Sequence, residues 1–452
     1  MIVIKFGGTS VSTKDRISNI CEIVSKRVTK KPVVVVSALS GVTDLLILAT
    51  KPPEQSESLF QRIREIHVDL VKNIWKEDAA ASKIISYVDS TLEEAKKVSS
   101  KGNLDKSSTD KLSSFGEIMS SYIVNEALKS SGIKSQQVLA TELIVTDNNF
   151  GEAEFLPGET RKAVNKNLKP LIEKGLIPVV TGFIGSTQDG KTTTLGRGGS
   201  DYSASIIGYC LNADELEIWT DVDGILTADP KLVKTAKLLD RISYKEASEL
   251  ATFGARVLHP RSIRPAVKAG IPVRILNSFN LQSKGTSILE KHQSKNHITA
   301  ISSKTKVTLV NIYSTEMLLS KGFLARIFEV FTRHNISVDL VSVSEVSVSV
   351  TLDNKDSMAS VVEELSEFAS VNTSEGFGMV SLIGEGVVAS SKNISRIFDI
   401  LDKEGILVKM VSLGSTDINV SLIIRREQIE KAVVVLHDQI LLNNSNYIGV
   451  KK

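Results

Sequence analysis

Cysteine is nearly missing from this chain: two residues in 452, Cys21 and Cys210. Both fall in apolar-patterned helical segments, so they read as buried thiols, and their spacing excludes a disulfide framework or a cysteine-based metal site. An excess of either charge is missing too. The 55 basic and 52 acidic residues leave a net charge of +3, which argues against nucleic acid as the main partner. No apolar run approaches membrane-spanning length, so no membrane segment is expected. Met1 leads straight into an apolar strand pattern rather than a leader, so no signal or transit peptide is expected and the cytoplasm is the expected location. A dinucleotide-type G-x-G-x-x-G is also absent. What the chain does have is a hydrophobic content of 42%, enough to build cores in two or three domains.

Ile2-Val3-Ile4 is a short buried strand, followed by Lys5, Phe6 and the pair Gly7-Gly8. The glycines let the backbone turn tightly and approach a ligand. Ser12-x-x-Asp15 has the spelling of a capping box, and Ile17, Ile20, Val24 and Val28 follow at helical spacing. A strand, a Lys-Gly-Gly loop and a helix start together aim free N–H groups and a cation at one spot, an anion site suited to phosphate. The same spelling also fits an ordinary strand-to-helix turn. Val33–Val36 is a fully apolar strand of parallel-sheet type, and its exit, Ser37 to Asp44 with Thr43, is a small-residue loop placed to touch a ligand or simply to turn. Residues from about 59 to 100 read as a helical hairpin or lid. Leu112 to Glu117 is expected to open the next helix, with Glu117 in its first turn, either favouring the helix dipole or facing a substrate ammonium.

Gly185 to Thr192 matches the P-loop spelling G-x-x-x-x-G-K-T. A P-loop leads into a helix, whereas Thr192-Thr193-Thr194 is β-branched and Asp189-Gly190 is a hairpin signal, so two strands are expected here. Leu195 to Asp201 (LGRGGSD) is a second glycine-rich helix start. It carries Arg197, whose guanidinium can fork onto a carboxylate or phosphate, and Asp201, which can orient a lysine such as Lys5 or pair locally with Arg197. Thr220-Asp221-Val222-Asp223-Gly224 is a polar strand exit, able to hold Mg²⁺ directly or through water, or to form an Asx turn. Ser243-x-x-Glu246 has capping-box spacing, and His259 before Pro260 reads as structural. Beyond a polar linker the sequence repeats at an offset of 70 residues. Arg326-Ile327-Phe328 recurs as Arg396-Ile397-Phe398, Val341-Ser342 as Val411-Ser412, and Val350 as Val420. Two βαββαβ-type copies imply a paired small-ligand module, a dimerisation module, or both.

Four of these stretches together resemble aspartate kinase signatures. They are Lys5 to Val11, Thr192 to Asp201, Trp219 to Gly224, and Ala251 to Pro260 with Arg256 and Val257. The resemblance covers the whole chain and ends in a tandem ACT-type region. Gly322 to Ala325, Arg333 to Leu340 and Ser344 to Val348 are most similar to the lysine-sensitive monofunctional branch. The chain is too short for a fused homoserine dehydrogenase. The resemblance implies an α/β amino-acid-kinase (carbamate-kinase-like) three-layer sandwich with a mostly parallel sheet, then two ferredoxin-like ACT domains. Expected boundaries are 1–290 for the catalytic domain, 291–297 for a linker, 306–375 for the first ACT domain, and 298–305 plus 376–452 for the second.

It further implies transfer of the γ-phosphoryl of ATP, carried with Mg²⁺, to the β-carboxylate of L-aspartate, the first step towards lysine, threonine, methionine and diaminopimelate. By resemblance Lys5 and Asp201 are catalytic. Lys5, Phe6, Gly7, Gly8, Thr220, Asp221, Leu226, Lys231, Arg256 and Val257 map to the nucleotide, and Ser37, Thr43, Glu117, Arg197, Gly198, Gly199 and Ser200 to aspartate. No direct metal motif is implied, since the ion travels with ATP. L-Lysine is the implied allosteric effector, at Met317, Ser320, Phe323, Leu324, Val338, Asp339, Ser344 and Glu345, partly from a neighbouring subunit of a homodimer or dimer of dimers. At the 70-residue offset the second copy carries Lys409 and Ser415 in place of Asp339 and Glu345, so one copy per chain is expected to bind lysine. Leu226 stands where relatives carry an aromatic, and Arg256 where they carry lysine. A glutamate kinase of the same fold and a non-catalytic ACT sensor are the rival readings.

Overall fold

The computed structural model describes residues 1–50, 53–102, 104–254, 258–292, 297–318, 320–353, 358–413 and 418–442. Arg256, Val257 and Ser415 therefore lie outside the described residues. The chain divides into two units: Met1–Ile225, Leu238–Tyr244 and Val257–His292 form the first, and Leu226–Lys237, Lys245–Arg256 and Gln293–Lys452 the second. Two short excursions, 226–237 and 245–256, thus pack with the carboxyl-terminal unit although they precede position 290.

β-Branched runs make the first unit's strands. In chain order these are β1 (Ile2–Phe6), β2 (Val33–Val36), β3 (Ser135–Val138), β4 (Val145–Thr146), β5 (Ile177–Thr181), β6 (Ile184–Thr187), β7 (Thr192–Thr194), β8 (Glu215–Thr220), β9 (Arg241–Ser243), β10 (Val273–Asn277) and β11 (Thr286–Leu289). The main sheet runs β3-β5-β2-β1-β8-β10-β11-β9. Its pairs are parallel except β10–β11. β1 and β2 are buried on both faces, as parallel strands covered by helices must be. A smaller sheet, β4-β6-β7, contains the β6–β7 hairpin closed around Asp189-Gly190, so the P-loop spelling forms no phosphate loop.

The helices around these sheets are α1 (Lys14–Ser25), α2 (Val42–Leu48), α3 (Pro53–Trp75), α4 (Ala79–Ser99), α5 (Lys106–Ser130), α6 (Pro157–Asn167), α7 (Lys169–Glu173), α8 (Gly199–Leu211) and α10 (Pro260–Lys268), whereas α9 (Tyr244–Thr252) belongs to the second unit from Lys245 on. Ile4, Phe6, Ile20, Leu46, Ile63, Ile84 and Phe115 meet in one core. Two sequence expectations change here. Ser12 does not cap α1: its hydroxyl donates to Gly8 O and accepts from Ser40 N, tying the glycine loop to the β2 exit. Helix α5 starts at Lys106, where the Asp105 side chain accepts from Ser108 N. Glu117 therefore lies mid-helix, and the helix-dipole account of it falls.

The second unit holds strands β12 (Ala300–Tyr313), β13 (Leu340–Val343), β14 (Ser347–Asp353), β15 (Ser370–Ile383), β16 (Met410–Leu413) and β17 (Asn419–Arg425). Its helices are α11 (Phe323–Arg333), α12 (Met358–Ser366), α13 (Ser391–Lys403) and α14 (Ile429–Leu436). The strands form one sheet, β13-β14-β12-β15-β17-β16, with the long β12 and β15 paired at its centre. The two copies differ in one hairpin. Ser342 faces Ser349, and Ser412 faces Ser421. The second hairpin is therefore two residues longer, and the partner of Val350 in the repeat is Leu422, not Val420 as a constant offset of 70 requires. The extra residues fall between Leu413 and Val420 in the sequence.

Candidate functional site

Most of the expected site residues converge at the carboxyl ends of β1, β2 and β5, where parallel sheets leave a crevice. A cleft of about 370 Å³ is lined by Lys5, Gly8, Ser37, Thr43, Glu117, Arg197, Gly198, Gly199, Ser200 and Asp201, with Ala38 to Gly41, Asp44, Phe183 and Gly196. Lys5 Nζ lies 2.6 Å from Asp201 Oδ1, an ion pair between the end of β1 and the first turn of α8. Close approach fixes the glycines. A Cβ on Gly8 would stand 2.8 Å from Ala38 O, and one on Gly199 would stand 2.6 Å from a Phe183 ring carbon. Gly198 has φ +71° at the N-cap of α8, the left-handed conformation that favours glycine.

Glu117 is the most constrained charge in the cleft. It is 3% exposed. Oε1 accepts from Ala38 N at 3.2 Å, while Oε2 is buried without a hydrogen-bond partner. Burial pushes its pKa up to about 8, against a weaker lowering by the Ala38 amide. An unmatched carboxylate oxygen in a cleft is the complement of a small ammonium. Arg197 is exposed at the rim. His259, the N-cap of α10, stands behind its loop: a Cβ on Gly198 would come within 3.3 Å of His259 Cβ. Burial, and then the Arg197 and Arg261 charges, hold the His259 imidazole below its usual pKa. Asp110 supports the loop from beneath, accepting from Thr194 N and Oγ1 at 2.8 Å each and from Gly151 N at 2.9 Å.

Phe183 lines the cleft but is not among the expected site residues. Its φ of +68° is rare for a bulky side chain. The signal was the preceding glycine: Gly182 has no room for a Cβ, which would meet Ser200 at 2.6 Å.

The nucleotide-side residues are less gathered. Phe6 points into the core, with its ring 6.3 Å from that of Trp219. Gly7 N donates to Trp219 O. Thr220 and Asp221 follow at the end of β8, beside β1, with Asp221 exposed and accepting from the Thr220 hydroxyl. Asp223 is engaged in its turn by the Asn277 and Asn280 amides. Leu226 and Lys231 belong to the second unit. Among the described residues no group of three or more His, Cys, Asp or Glu side chains could hold a metal.

A second cavity, about 470 Å³, lies in the first repeat copy. Met317, Leu318, Ser320, Gly322, Phe323, Leu324, Val343, Ser344 and Glu345 line it. The structure brings six of the eight expected effector residues here. It does not bring Val338, which packs on the copy's apolar core, or Asp339, whose carboxylate pairs with Lys304 at 3.0 Å. Those two sit at the opposite end of β13, about 16 to 20 Å from Ser344 at ~3.3 Å per residue.

Comparison with known proteins gives a consistent picture. Residues 1–277 match the amino acid kinase family, and 310–367 and 380–440 match the ACT domain. The chain is 37% identical to aspartokinase 1, chloroplastic, of Arabidopsis thaliana, over 96% of this chain and 79% of that protein. It is 35% identical to lysine-sensitive aspartokinase 3 of Escherichia coli K12, over 97% of this chain and 99% of that one. Among solved structures, E. coli aspartokinase III with aspartate and ADP, in its R-state, superposes with a TM-score of 0.84 at 34% identity, covering 98% and 100% of the two chains. The same enzyme with lysine and aspartate, in its T-state, gives 0.85 at 34% identity, covering 97% and 99%.

Proposed function

The chain belongs to the aspartokinase family, and from that premise we propose how its residues divide the work of moving the γ-phosphoryl of ATP to the β-carboxylate of L-aspartate. The observation that carries the assignment is the cleft holding three complementary groups: the Lys5–Asp201 pair, the rim guanidinium of Arg197, and the buried, unmatched Glu117 carboxyl, which meets an ammonium in its ionised form. Aspartate has three charges to match. Its α-carboxylate is a fork for Arg197, its ammonium fits Glu117, and Ser37, Thr43 and Ser200 offer hydroxyls beside it. The β-carboxylate is then left towards Lys5.

A carboxylate nucleophile with a pKa near ~4 needs no general base at neutral pH. The barrier is the approach of two anions, so the protein's task is positioning and charge neutralisation. Lys5, held by Asp201, and the amides of Gly7 and Gly8 meet the transferring phosphoryl. Thr220, Asp221, Leu226, Lys231, Arg256 and Val257 are assigned to the nucleotide. Mg²⁺, when bound, neutralises phosphate charge. Exposed Asp221 is the side chain suited to a hydrated ion carried in by ATP.

L-Lysine is proposed as the effector of the first-copy cavity, where Glu345 supplies the carboxylate and Ser320 and Ser344 supply hydroxyls. Asp339 and Val338, at the far end of β13, would complete such a site from a second copy of the chain, in a homodimer or dimer of dimers. In the second copy Lys409 replaces Asp339 with the same backbone role: Asp339 N donates to Thr351 O, and Lys409 N to Ile423 O. A cation there disfavours lysine. No helix among the described residues is long and apolar enough to cross a membrane, and the cytoplasm is the proposed location. The test is ATP-dependent acyl phosphate formation, trapped with hydroxylamine. Hydroxamate is expected with aspartate and suppressed by lysine. Product with glutamate alone, or none with either acid, overturns the assignment.

A further inference from the structure

The excursion 226–237 carries Leu226 and Lys231, yet its own bonding ties it to the regulatory unit. Its base is Thr227. The backbone N of Thr227 donates to Lys237 O at 2.9 Å, and its hydroxyl accepts from Lys237 N at 2.9 Å, closing the loop into a ring. Its carbonyl accepts from Ile301 N on β12 at 2.8 Å. The fourth bond comes from 210 residues away: Thr227 Oγ1 lies 2.9 Å from His437 Nε2. His437 follows α14 and is fully buried. Ala228 and Val233, on the same loop, pack in one apolar cluster with Leu436 and Ile440, which flank the histidine in sequence.

Either neutral tautomer makes the bond: a ring protonated at Nδ1 accepts the Thr227 hydroxyl proton at Nε2, and one protonated at Nε2 donates to the Thr227 oxygen, which has a second lone pair beside the one that Lys237 N uses. Nδ1 is buried without a hydrogen-bond partner, 3.6 Å from Asp438 Oδ1. Burial, the largest influence, holds the imidazole below its usual pKa, and the charges that bear on it are Asp438 and Lys237. A neutral histidine inside an apolar cluster fits a fixed strut better than a proton-exchanging group.

We propose that His437 is a positioning residue for the nucleotide: through Thr227 it fixes the base of the 226–237 loop and hence the tip that presents Lys231. The inference rests on the reading of Leu226 and Lys231 as nucleotide contacts, and it assigns the second ACT copy, which lacks the acidic effector residue, the task of holding that loop. Residues assigned to aspartate all lie in the first unit. The two substrates should therefore respond differently.

The experiment is steady-state kinetics of the full-length chain with each substrate varied. His437→Phe removes the hydrogen bond and keeps a ring. Losing one buried hydrogen bond should raise KM for ATP by about tenfold, with KM for aspartate and kcat within about twofold. His437→Gln, which can still accept from the threonine, should restore most of the affinity. Thr227→Val should act in the same direction, and its effect should not add to that of His437→Phe. The Thr227 variant carries the test if His437→Phe does not fold. Lys231→Ala separates the two levels. If it leaves KM for ATP unchanged, the nucleotide reading of the loop fails and the positioning role with it. If it raises KM for ATP but the His437 and Thr227 variants do not, or if they raise both KM values equally, the positioning role alone is overturned.

Discussion

A single carboxylate shows how the cleft works. Glu117 is held in its acid form by burial, with a folded pKa of about 8 against the ordinary 4.5. Ammonium binding needs the ionised form, so protons compete with substrate below pH 8. KM for aspartate should therefore fall as pH rises from about 6.5 to 8 and then level off, and Glu117→Gln should raise KM and flatten the profile. Initial rates across that range check both. Stability runs the opposite way. Between pH 4.5 and 8 the unfolded chain releases a proton that the folded chain keeps, so folding weakens as pH rises through this window. Glu117→Gln should accordingly melt above wild type at pH 8.5 and close to it at pH 5. Lys5→Ala should lower turnover on the order of 10²-fold or more, as for other preorganised charge donors, while its melting temperature barely moves. The residue types at this site were legible in the sequence because two glycine-rich turns before helices, one with Lys5 and one with Arg197 and Asp201, occur in one domain. The environment of Glu117 was not. Its surroundings come from Ala38 and the β2 exit, 79 residues away, and no local pattern encodes that.

At the scale of elements, turn chemistry was the reliable guide and helix starts were not. Asp189-Gly190 marked a hairpin and overruled a P-loop spelling. Lys191, paired with Asp189 on the surface, should accordingly be replaceable by alanine with little change in KM for ATP. The start of α5 was misplaced because Asp105, an ordinary N-cap, sits in a polar stretch with no apolar periodicity to mark it. Ser12 was misread because a hydroxyl near a helix start can serve the preceding loop as well as the helix. The strained Phe183 gives a further expectation. Gly199→Ala drives a methyl into its ring and backbone, at 2.6 Å and 3.2 Å, and overpacking of this kind costs about 1–3 kcal/mol. The variant should lose affinity for aspartate and melt lower, as read by kinetics and calorimetry.

At the scale of the whole chain, the repeat was legible because Arg-Ile-Phe and Val-Ser recur intact, but its strand register was not, because two extra residues before β17 shift it silently. The first-copy cavity leads to one regulatory expectation. Glu345→Ala should weaken lysine inhibition at least several-fold without altering uninhibited turnover, measured as the lysine concentration that halves the rate. The linear sequence also concealed the two excursions. Ala228 and Val233 are core residues of the second unit, and Phe253, at the end of the other excursion, packs with Val307, Leu309 and Met379. This has a consequence for dissecting the gene. A stop codon at 290 would not release a free-standing kinase, because the shortened product would keep both excursions and lose the surfaces that bury them. Such a truncation should aggregate, whereas one that also replaces Ala228, Val233 and Phe253 with polar residues should stay in solution. Regulation and catalysis here are interleaved along the chain, so neither can be inherited, exchanged or discarded by a single recombination event.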